Sequence, residues 1–327
     1  MNEAASSLDR AVKLAPNNRD CYLLRGGIRI NRDAQEMVIR RVVGRPFDGN
    51  ETLKSMFANQ DYQKAASLSP DSPRMIAVAT GMILADCAAN RKTTVITDFR
   101  QPISWPADVR AVVDERNKQL ERLMSHDDGL IAADARCFRA LNHVMVDKEL
   151  SRAATLLRET LKRRPEHNLS FDLLCTTLSL LSEWKELQTV AEARLSMKGR
   201  DDIWTRYPAA RAAFELKQYD RAEKHLRAGL QADPKSCLGN LALASVLIKS
   251  YDKSRSDEIR ELLFRADINI PPPSFGSMTF QSDASLLRSI FCALDGDVGF
   301  ARRNLRELLE REPHNEKAAK IAKVLGQ

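Results

Sequence analysis

Six cysteines and five histidines are the residues of this chain best suited to hold a metal or act as nucleophiles. Cys21, Cys87, Cys137, Cys175, Cys237 and Cys292 stand 38 to 66 residues apart, whereas zinc sites and dense disulfide frameworks need closer clusters. They read as small reduced core residues, which suits a reducing compartment and makes a cytoplasmic location the expectation. The histidines form no HxxxH or HExxH pair. His126-Asp127-Asp128 sets three ligand types in a row, but Gly129 follows, and a polar turn at a helix end is the plainer reading. Asp295-Gly296-Asp297 looks like half a calcium loop. Its next ligand positions would be Gly299, Ala301 and Arg303, so it reads as a helix–helix turn. Gly26-Gly27 lacks dinucleotide-loop spacing, and neither GxxxxGK[ST] nor GxSxG occurs. No catalytic, cofactor-binding or metal residues are expected, and the chain reads as a non-enzyme. What remains is recognition chemistry. Trp204, Tyr207 and Arg211 are spaced to share one helix face, and an aromatic pair beside a planar cation suits a peptide or a C-terminal carboxylate. The competing reading packs both aromatics between neighbouring elements.

The elements that would position such a face are helices. Of the 327 residues 43% are hydrophobic and 29% charged, enough to bury a core, while aromatics are only 6% and Ala, Leu, Arg and Glu abound. No apolar stretch approaches membrane-spanning length, and Met1 to Arg10 does not read as a signal peptide. Fifty-one basic residues meet 44 acidic ones for a net charge of +7. The charges interleave along the chain, and the doublets Arg40-Arg41, Arg163-Arg164 and Arg302-Arg303 are isolated. That pattern describes a solvated helix exterior and speaks against a nucleic-acid partner.

One half-motif recurs: a small or apolar residue, an apolar one four on, another three further, then proline after five. Its copies are Ala4-Leu8-Ala11-Pro16, Ala58-Tyr62-Ala65-Pro70, Ala153-Leu157-Thr160-Pro165, Ala222-Leu226-Gly229-Pro234, Ile259-Leu263-Ala266-Pro271 and Ala301-Leu305-Leu308-Pro313. A weaker copy runs Trp184, Leu187, Ala191, with Gly199 ending the helix. Steps of four and three place the first residues on one helical face and the proline past the helix end. A second amphipathic helix is expected before each copy, over 19–31, 73–87, 134–146, 168–181, 203–216, 237–249 and 282–294. A helix over 316–325 carries Lys317, Lys320 and Lys323, and suits a solvating cap.

This alternation resembles the tetratricopeptide repeat, a helix–turn–helix unit of about 34 residues. Leu24-Arg25-Gly26 is similar to the family's leucine–glycine step, and DYQKAASLSP and QYDRAEKHLRAGLQADP to its alanine–proline end. The resemblance implies an all-α, right-handed α-solenoid: a half repeat over 1–16, repeats over about 19–70, 73–131, 134–165, 168–199, 203–234, 237–271 and 274–313, and a capping helix. Two inter-helix insertions, 32–56 and 88–106, are rich in β-branched residues and are expected to meet as a short ribbon, the alternative being that one or both are flexible loops. The chain opens on the second helix of a repeat, so Met1–Ala15 is expected to be a degenerate cap or to follow upstream sequence. Pro271-Pro272-Pro273 reads as a stiff connector.

In this family the first helices line a concave groove. The resemblance places Phe138, Arg139, Asn142, Asp172, Thr176, Trp204, Tyr207, Arg211, Phe214 and Ser245 there. It implies a non-catalytic scaffold that binds a protein or peptide, with no cofactor and no membrane insertion. The alternative is the regulatory or substrate-binding region of a larger enzyme, such as a glycosyltransferase. The lysine–asparagine carboxylate clamp of the family's co-chaperones is not reproduced.

Overall fold

Four prolines of this chain mark where a helix stops. The computed structural model describes residues 2–26, 60–69, 71–90, 105–269, 277–313 and 315–326. Among the described residues the numbered helices begin with α1 (Asn2–Leu14), α2 (Gln60–Leu68), α3 (Pro73–Asn90), α4 (Ala107–Leu123), α5 (Gly129–Asn142), α6 (Leu150–Arg163) and α7 (Asn168–Leu181). Then come α8 (Trp184–Leu195), α9 (Ile203–Glu215), α10 (Tyr219–Ala232), α11 (Cys237–Lys249), α12 (Ser256–Ile268), α13 (Ser277–Leu294), α14 (Val298–Arg311) and α15 (Glu316–Val324). Residues 19–26 are also helical, and no strand occurs among the described residues. Pro16, Pro165, Pro234 and Pro313 each stand two residues past a helix.

Proline biases the residue before it toward extended backbone. Arg164, Asp233 and Glu312 leave the helical region at nearly one geometry, with φ of −136°, −136° and −133° and ψ of 79°, 80° and 74°. Each donates its N–H to the carbonyl four residues back, on Thr160, Gly229 and Leu308. A polar side chain then starts the next helix: the His167 ring accepts from the Ser170 N–H, the Ser236 hydroxyl from Gly239, and the Asn315 amide oxygen from Ala318. The other kind of turn needs a left-handed residue. Ser182, Lys217 and Gly296 supply it after α7, α9 and α13, at φ of 60°, 62° and 102°.

The recurring motif is the inner face of the second helices. From Ala153 to Leu308, the helical positions of the four later proline-ended copies that carry a side chain are at most 2% exposed, and Gly229 is buried with them, whereas Pro165 and Pro234 stand exposed past the helix ends. The chain divides into two compact units, Met1–Ser182 and Glu183–Gln327. Within the first, successive helices from α3 to α7 pack on one another, and α5 also touches α3 and α7. The second repeats this scheme: α8 to α15 pack in succession, and α11 also touches α9 and α13. Alternate helices therefore form a layer of their own in each unit.

Cys137, Cys175 and Cys237 are buried, as small core residues would be, while Cys21 and Cys292 are half-buried. Burial pushes the Cys137 thiol up to about 12, against a hydrogen bond to Ser170 that acts the other way. Asp297 caps α14 by accepting from the Phe300 N–H at 2.9 Å, so the Asp295–Asp297 segment is a helix–helix turn. Residues 32–56, most of 88–106, and Pro271–Pro273 lie outside the described residues, and with them the expected ribbon and connector. No helix among the described residues is long and apolar enough to cross a membrane.

Candidate functional site

The layer of alternate helices in the second unit encloses a cleft of about 240 Å³. Helix α9 starts at Asp202, whose carboxylate accepts from the Thr205 N–H at 2.8 Å. That start sets the helix rotation and brings Tyr207, Arg211 and Phe214 to the cleft. Leu238, Leu241 and Ser245 enter from α11, Asp283, Leu286 and Leu287 from α13, and Lys317 from α15. The floor is therefore aliphatic and aromatic, with two cations and one carboxylate around it. Phe214 is fixed edge-on against Tyr219, with ring centroids 5.6 Å apart. Arg211 binds Glu215 at 2.9 Å, and its guanidinium carbon lies 5.7 Å from the centre of the Trp184 ring. Those contacts hold the guanidinium in place at the cleft while one edge stays half-exposed.

Four sequence-selected residues thus meet at one site: Tyr207, Arg211, Phe214 and Ser245. Trp204 does not join them. It is 66% exposed on α9 and is not part of the cleft wall. In the first unit, Phe138 is buried in a cluster with Ile76, Leu120 and Ala135, and buried Asn142 donates to Asn117 Oδ1 at 2.7 Å. Arg139 is held by Glu121 at 2.9 Å and Asp147 at 3.2 Å. Asp172 and Thr176 are exposed on α7, where the Thr176 hydroxyl donates to the Asp172 carbonyl at 3.0 Å. The sequence reading passed over Leu238, Leu241, Leu286 and Leu287, whose three- and four-residue spacings carry only a general helical signal. It assigned Lys317 to a solvating cap, and that lysine also borders the cleft.

One cluster had no sequence signal. The ligand atoms of His143, Asp147 and Glu149 lie within 4.8 Å of one another where α5 ends in a π-helical turn, His143–Asp147. His143 Nδ1 is 3.0 Å from a carboxylate oxygen of each acid. Asp147 also binds Arg110 at 2.8 Å, and Glu149 binds Arg152 at 3.0 Å. Guanidinium groups already meet the negative charge, so the arrangement works as an ion network that closes the α5–α6 turn.

No family model and no curated protein sequence matches the chain. Among solved structures it is similar to the crystal structure of yeast Tom70, with a TM-score of 0.53 and 12% identity. The match covers 99% of this chain and 58% of Tom70, so the chain spans less than two thirds of that neighbour. At such identity the likeness is one of fold, and the chain is similar in fold to a tetratricopeptide-repeat α-solenoid.

Proposed function

We propose that this chain is a non-catalytic interaction scaffold that binds a short segment of a partner protein in the cleft of its second unit. The observation behind the reading is the convergence of Tyr207, Phe214, Leu241 and Leu286 with Arg211 and Lys317 in one concavity. Apolar pockets beside a few charges suit a peptide with one or two aliphatic or aromatic side chains and a carboxylate. Helices stacked on fixed turns present such a cleft already formed, which keeps the ordering cost of binding on the peptide side. The Tom70-like fold supports a protein partner as the class of ligand and says nothing of its identity.

Selection of random peptides on the full chain tests the reading. Ala242 also lines the cleft, and Ala242→Arg should plug it. Selected peptides are expected to share an apolar-plus-acidic pattern. They should bind Ala242→Arg and the double variant Arg211→Ala, Lys317→Ala at least about tenfold more weakly, the size of one lost charged hydrogen bond. Peptides held equally by wild type and by both variants would move the binding face elsewhere.

A further inference from the structure

A second concavity, in the first unit, has a different chemistry. It has a volume of about 510 Å³ and is bordered by Arg136, Arg163, Arg164, His126, Asp127 and Glu166, where the turn after α4 and the start of α5 meet the end of α6. Arg136 is the unusual member. It is only 7% exposed, yet no carboxylate among the described residues forms an ion pair with it. Its Nη2 donates to the Met124 carbonyl at the end of α4, which uses one of five N–H donors. A buried guanidinium without a counter-charge is costly. Burial and then the neighbouring charge of Arg163 lower its affinity for its own proton, while Glu159 acts the other way. Glu159, however, is already bound to Arg163 at 2.6 Å.

The remaining cations crowd the same opening. The Arg164 Nη1 would lie 3.5 Å from a Cβ placed on Gly129, so its guanidinium lies over the first residue of α5. Its partner Glu166 is 2.9 Å away. The N-terminal N–H groups of α5 are not the attraction, because Asp128 already accepts from Leu130 and Ile131. Three guanidiniums therefore border the pocket; Glu159 pairs with Arg163 and Glu166 with Arg164, which leaves Arg136 as the cation with no carboxylate of its own, while Asp127 also lines the opening.

We infer that this pocket is an oxyanion site that takes a phosphate group, with Arg136 as its buried anchor and Arg163 and Arg164 as its outer clamps. A phosphate dianion supplies the counter-charge that Arg136 lacks, and planar guanidiniums match its oxygens in pairs. The site is separate from the cleft of the second unit, so it stands or falls independently of the peptide reading.

Calorimetric titration of the full chain with inorganic phosphate, at fixed ionic strength, tests it. A saturable one-to-one heat is expected, and Arg163→Gln and Arg164→Gln should each weaken it about tenfold. Arg136→Met should abolish it while melting no lower than wild type in phosphate-free buffer, since it removes a charge that lacks a partner. A purely structural Arg136 would lower the melting temperature in any buffer. If Arg136→Met does not fold, the two outer arginines decide the question. Absence of saturable heat, or unchanged affinity in both Gln variants, overturns the assignment. O-phosphoserine run alongside distinguishes the source: tighter binding than inorganic phosphate points to a phosphorylated side chain, equal or weaker binding to the free ion.

Discussion

Gly229 shows how one missing side chain positions a site. It lies inside α10, where alanine would be favoured by about 1 kcal/mol on helix propensity alone. A Cβ there would sit 2.6 Å from Ile203 Cδ1 and 3.3 Å from the Ile203 Cα, the first residue of α9. The side-chain tip could move, but the backbone could not without shifting the helix that carries Tyr207 and Arg211. Overpacking should therefore win, and Gly229→Ala is expected to destabilise by about 1–3 kcal/mol in thermal or denaturant melts. A neutral or stabilising result would show that α9 slides freely. The motif marked Gly229 as an inward position, and nothing in the sequence named Ile203 as its neighbour. The candidate site was legible to the same degree. The resemblance to the tetratricopeptide repeat implied Tyr207, Arg211, Phe214 and Ser245, each from its place along a single helix, whereas Asp283 and Lys317 reach the cleft from helices far along the chain.

Among the elements, turns were the best-read features and two helix starts the worst. Proline two residues past a helix is a local signal, and it was met with one backbone geometry at Arg164, Asp233 and Glu312. Helix α13 was expected from 282 and starts at Ser277, and helix α5 departs at both ends. It was expected over 134–146, but Asp128 caps it, so it begins at Gly129 and ends in the π-helical turn His143–Asp147. Counting groove positions from residue 134 chose Phe138 and Asn142, whose side chains are buried within the first unit. The π-helical turn has a testable electrostatic role. Burial alone would raise the Asp147 carboxyl, but hydrogen bonds from His143 and Arg139 and the charge of Arg110 bring it down to about 2. A carboxyl depressed from its unfolded value of about 3.9 contributes stability that is complete above that pH and is lost as pH falls toward 2. Asp147→Asn is expected to lower stability at neutral pH by about 1–3 kcal/mol, since it leaves guanidinium donors short of an acceptor. It should also flatten the decline between about pH 4 and pH 2. Parallel wild-type and variant curves through that window would assign the network no linked role.

Across the whole molecule, helices packed on their sequence neighbours make stability a sum of local terms. Each unit has a core of its own: Ile76, Leu120, Ala135 and Phe138 in the first, and Leu243, Leu247, Ile259 and Leu263 among others in the second. Leu243 is 1% exposed on α11, the helix that contributes Leu238, Leu241 and Ser245 to the cleft. Truncating such a residue costs about 2–5 kcal/mol. If the two units open separately, Leu243→Ala should cut amide-exchange protection across α9 to α13 and leave α4 to α6 as in wild type. Denaturant unfolding should then separate into two steps, with only the earlier one moved by the substitution. Protection lost evenly along the chain would mean that one cooperative transition governs both units. The two outcomes carry different consequences for binding. With separate opening, a peptide in the cleft stabilises only the second unit and phosphate at Arg136 only the first, and the two ligands should bind without affecting each other. A single transition would let either ligand raise the melting temperature of the whole chain.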